Sequence, residues 1–329
     1  MRIDASAPTR VDLAGGTIDI WPLYLFHPGA QTVHVAISLR AHARIETRAD
    51  GRVVVESLDT GARVDAAAPA GLHGARGLAL IGRLVEHFRP TGVTVTTRGE
   101  SPAGAGIAGS SAMNVALSAA LARWQGLALD PESLLSLALN VEAQAIGVPT
   151  GLQDYRPAMY GGIAALELAE EGPRRVSLDV DPDELQRRIV LAYTGEPRHS
   201  GTNNWEVFKK HIDGDRHVFD AFERIRDTAA ALRRALERAD WDEAGRQIAA
   251  EWENRKRLAP GVTTPAIDRL IASASAAGAE ASKVCGAGGG GCLICFASPR
   301  RLPAVREALL AEGARVLDYR VEREGLRVG

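Results

Sequence analysis

The chain has 329 residues and a formal net charge of -2, with 46% hydrophobic and 24% charged residues. This composition is typical of a soluble globular protein, and the length predicts two domains. The balanced charge gives no electrostatic basis for binding nucleic acid or an anionic membrane. Because the sequence shows neither an apolar run of about 18 residues nor a secretory leader pattern, we expect a cytoplasmic protein whose partners are small molecules.

Two stretches near the N-terminus, at 32–49 and 53–57, alternate apolar and polar residues. Asp50-Gly51 lies between them and is typical of a tight turn, so the two stretches predict a β-hairpin. Further along the first half, periodicity predicts a helix at 75–88, a strand at 92–98, a helix at 111–124 and a helix from Pro131 to Ile146.

The second half is predicted to begin with the strand RIVLAYT, after a boundary between residues 168 and 185. A long amphipathic helix follows, and six apolar residues mark the face that we expect to be buried: Val218, Phe222, Ile225, Ala229, Leu232 and Leu236. The remaining predicted elements are helices at 241–258 and 264–277, a strand–glycine loop–strand unit at 280–297, a helix at 300–312 and a last strand at 314–322. This order predicts a small α/β sandwich.

The three cysteines, Cys285, Cys292 and Cys295, are too few for a disulfide framework and fit a reducing compartment. Cys292 and Cys295 have the C-x-x-C spacing of redox and zinc sites. However, CLICF also reads as a buried strand, in which residues three apart point to opposite faces. We favour a structural role for both cysteines.

The stretch SPAGAGIAGSSAMNVAL (101–117) places Gly104, Gly106 and Gly109 directly before a predicted helix. Backbone N–H groups at such a helix start suit a phosphate. Ser110 and Ser111 can cap the helix, bind phosphate or reach a magnesium ion, and a serine-capped glycine turn is the structural alternative. The glycine spacing matches G-x-G-x-x-G, but two helices follow in place of a strand with an acidic residue, which argues against a dinucleotide fold.

Glu142 is the most informative single residue of the predicted helix that ends at Ile146, because its helical neighbours are apolar. A carboxylate on such a face is costly unless it is paired. A metal ion beside phosphates would pair it, and an arginine salt bridge is the alternative. Twelve residues on, Asp154 lies in the loop GLQDYRPAMYGG, where it could accept a hydroxyl proton or cap a turn.

Two further stretches hold candidate residues. APTRVDLAGGTID (7–19) groups Arg10, Asp12 and Asp19 around two glycines, which by itself is a weak signal. The run GAGGGG (286–291) is stronger, since consecutive glycines between two strands are expected where the backbone approaches a ligand or another backbone. A flexible turn is the alternative.

Together, APTRVDLAGGTID, SPAGAGIAGSSA and KVCGAGGGGCLI resemble the three motifs of the GHMP kinase superfamily and stand in the expected order. AGGTID, QDYRPAMYGG and YTGEPRHSG look most like sugar kinases of the D-glycero-D-manno-heptose 7-phosphate kinase type, with galactokinase and fucokinase as relatives. In that subgroup glycine and serine usually stand where this chain has Ala108 and Gly109, and D-Q-Y where it has Asp154-Tyr155-Arg156.

The resemblance implies an α+β protein with the two-domain GHMP kinase fold. Its N-terminal, ATP-binding domain would be of the ribosomal protein S5 domain 2-like type and would span residues 1–175. Its C-terminal domain would be ferredoxin-like and would span residues 176–329. The active site is expected between the two domains.

The implied activity is that of an ATP-dependent kinase that transfers the γ-phosphoryl group to a hydroxyl, the anomeric one, of a sugar or sugar phosphate. Two alternatives stay open: a mevalonate-pathway kinase or decarboxylase, and a non-catalytic sugar- and ATP-binding regulator. Nucleic acid and membrane partners are not expected. The identity of the sugar and the oligomeric state, including a homodimer, are left open.

The resemblance also implies residue roles. Asp154 would be the catalytic base, Arg10 the cation near the transferring phosphoryl group, and Ser110 and Glu142 the ligands of Mg²⁺. The expected ATP-binding residues are Pro102, Gly104, Ala105, Gly106, Ile107, Ala108, Gly109, Ser110 and Ser111. The expected substrate-binding residues are Gly16, Thr17, Asp19, Arg198, Gly288 and Gly289.

The segment 197–211 follows a predicted strand and is rich in polar residues. We predict that it lines or covers the sugar end of the cleft, with Asn203, Asn204 or Trp205 in contact with the sugar. A solvated loop before the long helix is the alternative.

Overall fold

The computed structural model describes residues 1–197 and 200–329, and of residues 200–203 it describes the backbone alone. Its strands are β1 (Arg2–Ala14), β2 (Gln31–Thr47), β3 (Val53–Ser57), β4 (Ala62–Ala66), β5 (Val93–Gly99), β6 (Ile163–Ala169), β7 (Gly172–Ser177), β8 (Ile189–Tyr193), β9 (Ala281–Val284), β10 (Cys292–Phe296), β11 (Arg315–Leu317) and β12 (Arg327–Val328). Its helices are α1 (Ala79–Phe88), α2 (Gly109–Trp124), α3 (Pro131–Ile146), α4 (Tyr155–Tyr160), α5 (Pro182–Gln186), α6 (Ser200–Ile212), α7 (Arg216–Glu237), α8 (Trp241–Arg255), α9 (Pro265–Ala276) and α10 (Leu302–Ala311).

An eight-stranded sheet dominates the first half, with the order β12-β1-β2-β5-β3-β4 and with β6 and β7 continuing from β2. The helices α1, α2 and α3 cover one face of this sheet and share a hydrophobic core with it. Helix α3 begins as predicted, because Asp130 caps it by accepting a hydrogen bond from Ser133 N at 3.0 Å. Strand β7 spans the predicted domain boundary, which stays a prediction, and belongs to this sheet.

The hairpin predicted between 32–49 and 53–57 is wrong. Strands β2 and β3 both form, but β5 lies between them, antiparallel to β2 and parallel to β3. The turn residues wrap around the start of β5: Arg48 N donates to Gly92 O, and Gly92 N donates to Gly51 O. A short polar turn between two predicted strands is therefore compatible with two arrangements. The strands can pair as a hairpin, or the turn can pass over the end of a third strand that lies between them.

The second sheet has the order β11-β8-β10-β9 and is antiparallel throughout. Helices lie between β8 and β9 and between β10 and β11 in the chain, which is the split βαβ arrangement of ferredoxin-like domains. The predicted apolar stripe of α7 is buried, as expected for a helix that packs on a core. Cys292 and Cys295 lie in β10 and belong to hydrophobic clusters on opposite faces of this sheet.

The last strand is shorter than the predicted 314–322, because β11 ends at Leu317. Beyond it the chain leaves the second sheet and joins the first: Ser38 N donates to Arg320 O, and Glu322 N donates to Ala36 O. Hydrogen bonds to β2 thus replace those of the predicted strand. The described helices include none that is long and apolar enough to cross a membrane.

The two sheets are joined by shared hydrophobic clusters. One cluster combines Val11 and Val33 of the first sheet with Leu191 and Phe296 of the second. The end of β1 is consequently buried between the two halves of the molecule. This burial brings the motif at 7–19 close to the two glycine-rich motifs.

Candidate active site

Arg10 and Asp154 form an ion pair beside the cleft between the two halves; Asp154 lines this cleft, whereas Arg10 is buried and does not. Arg10 Nε and Nη2 both donate to Asp154 Oδ1, at 3.0 and 2.5 Å, and Nη1 donates to Gly106 O at 2.9 Å. The Arg10 side chain is 1% exposed, whereas that of Asp154 is 22% exposed. Burial opposes the charge of Arg10, but Asp154 and Asp12 outweigh it and raise the pKa of the guanidinium. The cation is permanent, and its carboxylate partner faces the cleft.

The glycine-rich stretch 102–111 forms one wall of this cleft. Gly104, Gly106 and Ala108 all have positive φ angles, of 68°, 75° and 62°, and they lead directly into the N-terminus of α2. Seven of the expected site residues line a cavity of about 140 Å³ together with Asp154: Gly104, Ala105, Gly106, Ala108, Ser110, Ser111 and Glu142. The expected residues Pro102, Ile107 and Gly109 belong to the same stretch but do not line this cavity.

The second glycine run, 286–291, packs directly on the first. Cys292 N donates to Ala105 O at 2.7 Å, and a Cβ atom at Gly291 would lie 2.7 Å from the same oxygen. Gly288 is equally confined, since a Cβ atom there would lie 2.5 Å from Val262 O, and Gly289 N donates to Val262 O. Gly288 and Gly289, which have an expected substrate role, are thus positioned by backbone contacts. The run that contains them packs against the glycine-rich stretch 102–111.

Glu142 lies under the first turn of α2. Its carboxylate accepts hydrogen bonds from Ser110 Oγ at 2.6 Å, Ser111 Oγ at 2.9 Å and Tyr155 OH at 2.6 Å. Burial raises the pKa of Glu142, while the three hydroxyl groups oppose that rise. The arginine salt bridge considered above is not found within the described residues, where the hydrogen-bond partners of Glu142 are these hydroxyls.

The oxygen atoms of Glu142 and Ser110 are suitable ligands for a magnesium ion. Mg²⁺ prefers oxygen ligands and is often held by one or two carboxylates together with substrate phosphates. Glu142 and Ser110 supply such oxygens at a helix N-terminus, and the buried carboxylate has hydroxyl groups but no cation beside it in the described part of the chain. Among the described residues, no cluster of three or more His, Cys, Asp or Glu side chains could hold a metal ion.

Asp19 is held beside Asp154 by the backbone. Its Oδ2 accepts a hydrogen bond from Gln153 N at 2.8 Å, and Gln153 directly precedes Asp154. Its Oδ1 is buried and has no hydrogen-bond partner among the described residues. Burial raises the pKa of Asp19 to about 6, and the nearby Asp154 carboxylate adds to this rise. An oxygen atom that can accept a hydroxyl hydrogen is therefore present next to the ion pair.

Gly16 and Thr17 are held by contacts with the second half of the chain, and their expected role in substrate binding stays a prediction. Gly16 O and Thr17 Oγ1 both accept hydrogen bonds from Arg255, a fully buried residue at the end of α8. Arg255 belongs to a buried ionic network with Asp12, Glu251 and Lys283. The sequence analysis missed this network. The available signals were a lysine inside the short strand ASKV and the i,i+4 spacing of Glu251 and Arg255.

The segment 197–211 contributes helix α6 to the cleft. Asn204 lines the same cavity as Ser110, Glu142 and Asp154. The side chain of Trp205 is 39% exposed and its ring stacks on Phe208. Arg198 and His199 lie outside the described residues, as does the side chain of Asn203, so their predicted contacts stay predictions.

Three larger cavities lie elsewhere in the described part of the chain. One of about 540 Å³ is on the outer face of the first sheet, one of about 480 Å³ lies between the residues that follow β7 and the C-terminal segment, and one of about 450 Å³ lies between α10 and β8. None of them contains an expected site residue. Convergence of the three motifs, and not cavity volume, therefore marks the candidate site.

The matches to protein-family models agree with this convergence. The model of the GHMP kinases N terminal domain matches residues 77–162, and that of the GHMP kinases C terminal domain matches residues 232–315. This chain belongs to the GHMP kinase family. It is an ATP-dependent kinase that acts on an alcohol group, and the predicted α+β fold of this family is confirmed.

Individual relatives of this GHMP kinase cover its whole length. The D-glycero-alpha-D-manno-heptose 7-phosphate kinase of Campylobacter jejuni is 28% identical over 99% of this chain and 98% of its own. The mevalonate kinase of Thermococcus sibiricus is 28% identical over 100% of this chain and 98% of its own. The crystal structure of a D-glycero-D-manno-heptose 1-phosphate kinase from Bacteroides thetaiotaomicron superposes with a TM-score of 0.78 at 25% identity, covering 99% of this chain and 98% of the other.

Proposed function

We propose that this GHMP kinase phosphorylates the anomeric hydroxyl of a sugar or sugar phosphate such as a heptose 7-phosphate. The observation that carries the proposal is the Arg10–Asp154 pair: Asp154 lines the cavity beside the glycine-rich stretch 102–111, and its neighbour Gln153 is bonded to Asp19. Such an arrangement offers a base and a cation beside a loop suited to phosphates. The similarity to heptose-phosphate kinases over the whole chain supports a sugar as the acceptor.

In this proposal Asp154 orients the attacking hydroxyl and accepts its proton. The hydroxyl oxygen forms the new bond to the γ-phosphorus, and the bond between that phosphorus and the bridging oxygen of ADP breaks. Arg10 offsets the negative charge that develops at the γ-phosphoryl group, and its bonds to Gly106 O and Asp154 Oδ1 hold it in place. Positioning and charge neutralisation suffice for phosphoryl transfer, which needs little covalent chemistry from the protein.

Ser110 and Glu142 are the proposed ligands of Mg²⁺. The ion would neutralise phosphate charge, and the buried carboxylate would gain a cationic partner. Ser111 and Tyr155 donate to the same carboxylate and hold its orientation. The backbone of the stretch 102–111 provides N–H groups at the start of α2 for the phosphates of ATP.

Asp19 is the proposed acceptor-binding carboxylate. Its Oδ1, which has no hydrogen-bond partner in the described part of the chain, suits a sugar hydroxyl, and the bond from Gln153 N to Oδ2 keeps that hydroxyl near the base. Asn204 of α6 lines the same cavity as Asp154, which supports a contact between Asn204 and the acceptor. A role of Arg198, a cytoplasmic location and the absence of nucleic acid and membrane partners stay predictions, and a homodimer stays open.

An acceptor panel tests the proposal. ATP and Mg²⁺ would be supplied with aldoses, heptose 7-phosphates and, as the competing class, mevalonate and phosphomevalonate, and ADP release would be measured. We expect acceptor-dependent ADP release with a sugar or sugar phosphate, and a product phosphorylated at the anomeric carbon. Turnover restricted to mevalonate or phosphomevalonate, or ADP release that no alcohol accelerates, would reject the proposed substrate class.

A further inference from the structure

We propose that Arg255 is a positioning residue for the acceptor, resting on the site assigned above. From the end of α8, in the second half of the chain, it fixes the turn at Gly16 and Thr17 in the first half. Through this turn it holds Asp19 at the distance from Asp154 that binding of the acceptor needs. It touches neither ATP nor the acceptor.

The contacts of Arg255 converge from three parts of the chain. Its Nη1 donates to Thr17 Oγ1 at 3.2 Å and to Gly286 O at 3.1 Å, and its Nη2 donates to Gly16 O at 3.1 Å. Its Nε donates to Glu251 Oε1 at 2.8 Å, and Nη2 is paired with the same oxygen. The planar guanidinium therefore joins the first motif, the 286–291 run and its own helix at once.

The charge of Arg255 is compensated locally. The side chains of Arg255, Lys283, Asp12 and Glu251 are all at most 1% exposed. Arg10 Nη1 also lies 3.5 Å from Asp12 Oδ1, so the network continues to the Arg10–Asp154 pair and sets three cations against three carboxylates. Asp12 Oδ2 accepts from Lys283 Nζ at 2.8 Å, and Asp12 Oδ1 accepts from Gly286 N at 2.8 Å. A balanced buried network of this kind defines one arrangement of the segments that it joins.

The turn that Arg255 holds is strained. Thr17 has a φ angle of +74°, a conformation that is unfavourable for a β-branched residue and persists only when surrounding contacts impose it. The hydrogen bond from Arg255 to the Thr17 hydroxyl is such a contact. Two residues further on, Asp19 bonds to Gln153 N, the neighbour of Asp154. If the turn at Gly16 and Thr17 were released, the Asp19 carboxylate would be displaced more than the residues proposed to bind ATP.

The test compares variants of the full-length protein. Arg255→Lys keeps the buried charge but not the fork of donors, and Thr17→Val keeps the β-branched shape but not the hydroxyl. Arg246→Lys, an exposed arginine on the same helix, is the matched control. We expect Arg255→Lys to raise the KM for a heptose 7-phosphate about tenfold, the effect of losing one charge-assisted hydrogen bond, with the KM for ATP changed less than about twofold. Thr17→Val should raise the same KM. In the double variant, the logarithm of the KM increase should be smaller than the sum of the logarithms for the two single variants, because both substitutions remove the same hydrogen bond.

Hydrogen exchange provides a readout that does not depend on the acceptor. Amides of the segment 15–19 should exchange faster in Arg255→Lys than in the parent and in Arg246→Lys. An unchanged KM for the acceptor with unchanged exchange, or equal rises in both KM values, overturns the positioning role. If the parent phosphorylates an alcohol other than a sugar, the proposed substrate fails, and the KM for that alcohol then tests Arg255 in the same way.

Discussion

Glu142 shows how far a single residue can be interpreted from sequence. Its apolar helical neighbours predicted a carboxylate that needs a partner, and the structure surrounds it with hydroxyls of Ser110, Ser111 and Tyr155. Tyr155 could not be predicted, because the fold of the loop before α4 brings its hydroxyl group back to α3. Arg255 was missed for another reason: arginine is abundant throughout this chain, so a functional arginine does not stand out.

Replacing Glu142 with glutamine tests its proposed metal role. Glutamine keeps the shape and removes a buried charge. Its single carbonyl oxygen can accept from one of the two serine hydroxyls, while the hydroxyl that faces Nε2 has to rotate and accept from that group. We expect turnover at saturating ATP to fall by about 10²-fold or more, as for other lost electrostatic contributions in active sites. The melting temperature of the metal-free protein should stay constant or rise, because burial disfavours the carboxylate.

The two serines provide the matched comparison for this variant. Ser110 is exposed and Ser111 is buried, although both donate to Glu142. Ser110→Ala should raise the Mg²⁺ concentration needed for half-maximal activity more than Ser111→Ala does. A lower melting temperature in Glu142→Gln with normal activity per folded molecule would identify Glu142 as a structural group only.

At the scale of elements, helices were predicted better than strand pairing. The stripe of α7 and the start of α3 at Pro131 follow from the local spacing of residue types, which a sequence displays directly. The neighbours of β3 and the early end of β11 depend instead on residues far along the chain, at 93–99 and at 36–38. Local patterns carry no information about such partners.

The start of α2 allows a prediction about backbone strain. Ala108 precedes the helix with a φ angle of 62°, which favours glycine. Ala108→Gly should therefore raise the free energy of unfolding by about 0.5 kcal/mol, the difference between the relieved strain and the added entropy of the unfolded chain. Chemical denaturation measures this change. Ala112→Gly, within the same helix, should lower the free energy of unfolding by about 1 kcal/mol. A similar decrease in Ala108→Gly would show that the backbone of Ala108 is not strained.

Helix α6 is anchored by a buried histidine pair, which predicts a pH dependence. His211 Nε2 lies 2.8 Å from His27 Nε2, and His27 Nδ1 lies 2.6 Å from Glu223 Oε1. Burial lowers the pKa of both histidines, and it lowers that of His211 to about 4. For His27, the Glu223 carboxylate opposes this decrease in pKa and the Arg226 guanidinium adds to the decrease. Between about pH 6.5 and 4 the unfolded chain binds more protons than the folded one. Stability should therefore fall as the pH decreases through this range.

Urea denaturation at pH 7.5 and pH 5 measures this dependence. His211→Gln cannot titrate, so its stability should fall less between the two pH values than that of the parent. His217→Gln removes an exposed histidine from α7 and serves as the control. A pH dependence equal in the parent and in His211→Gln would show that the histidine pair does not produce it.

At the scale of the whole molecule, the site exists because three distant stretches meet. Residues 7–19, 101–112 and 283–294 come together through Arg10, Ala105 and the buried network of Asp12 and Lys283. The resemblance to a kinase family predicted that these stretches would converge. The contacts that join them could not be predicted, because they depend on how the two sheets pack on shared clusters of apolar side chains.

The central claim is that Asp154 acts as the base in phosphoryl transfer to a sugar hydroxyl in this cleft. Asp154→Asn keeps the size of the side chain and most of its hydrogen bonds but cannot accept the proton. The most direct measurement is turnover of this variant with ATP and the preferred sugar, beside its affinity for ATP. General-base catalysis contributes about 10²- to 10⁴-fold, so turnover should fall by at least the lower figure with ATP affinity unchanged. A decrease of less than about tenfold with normal ATP binding would contradict the claim, since that is below the contribution of such a base.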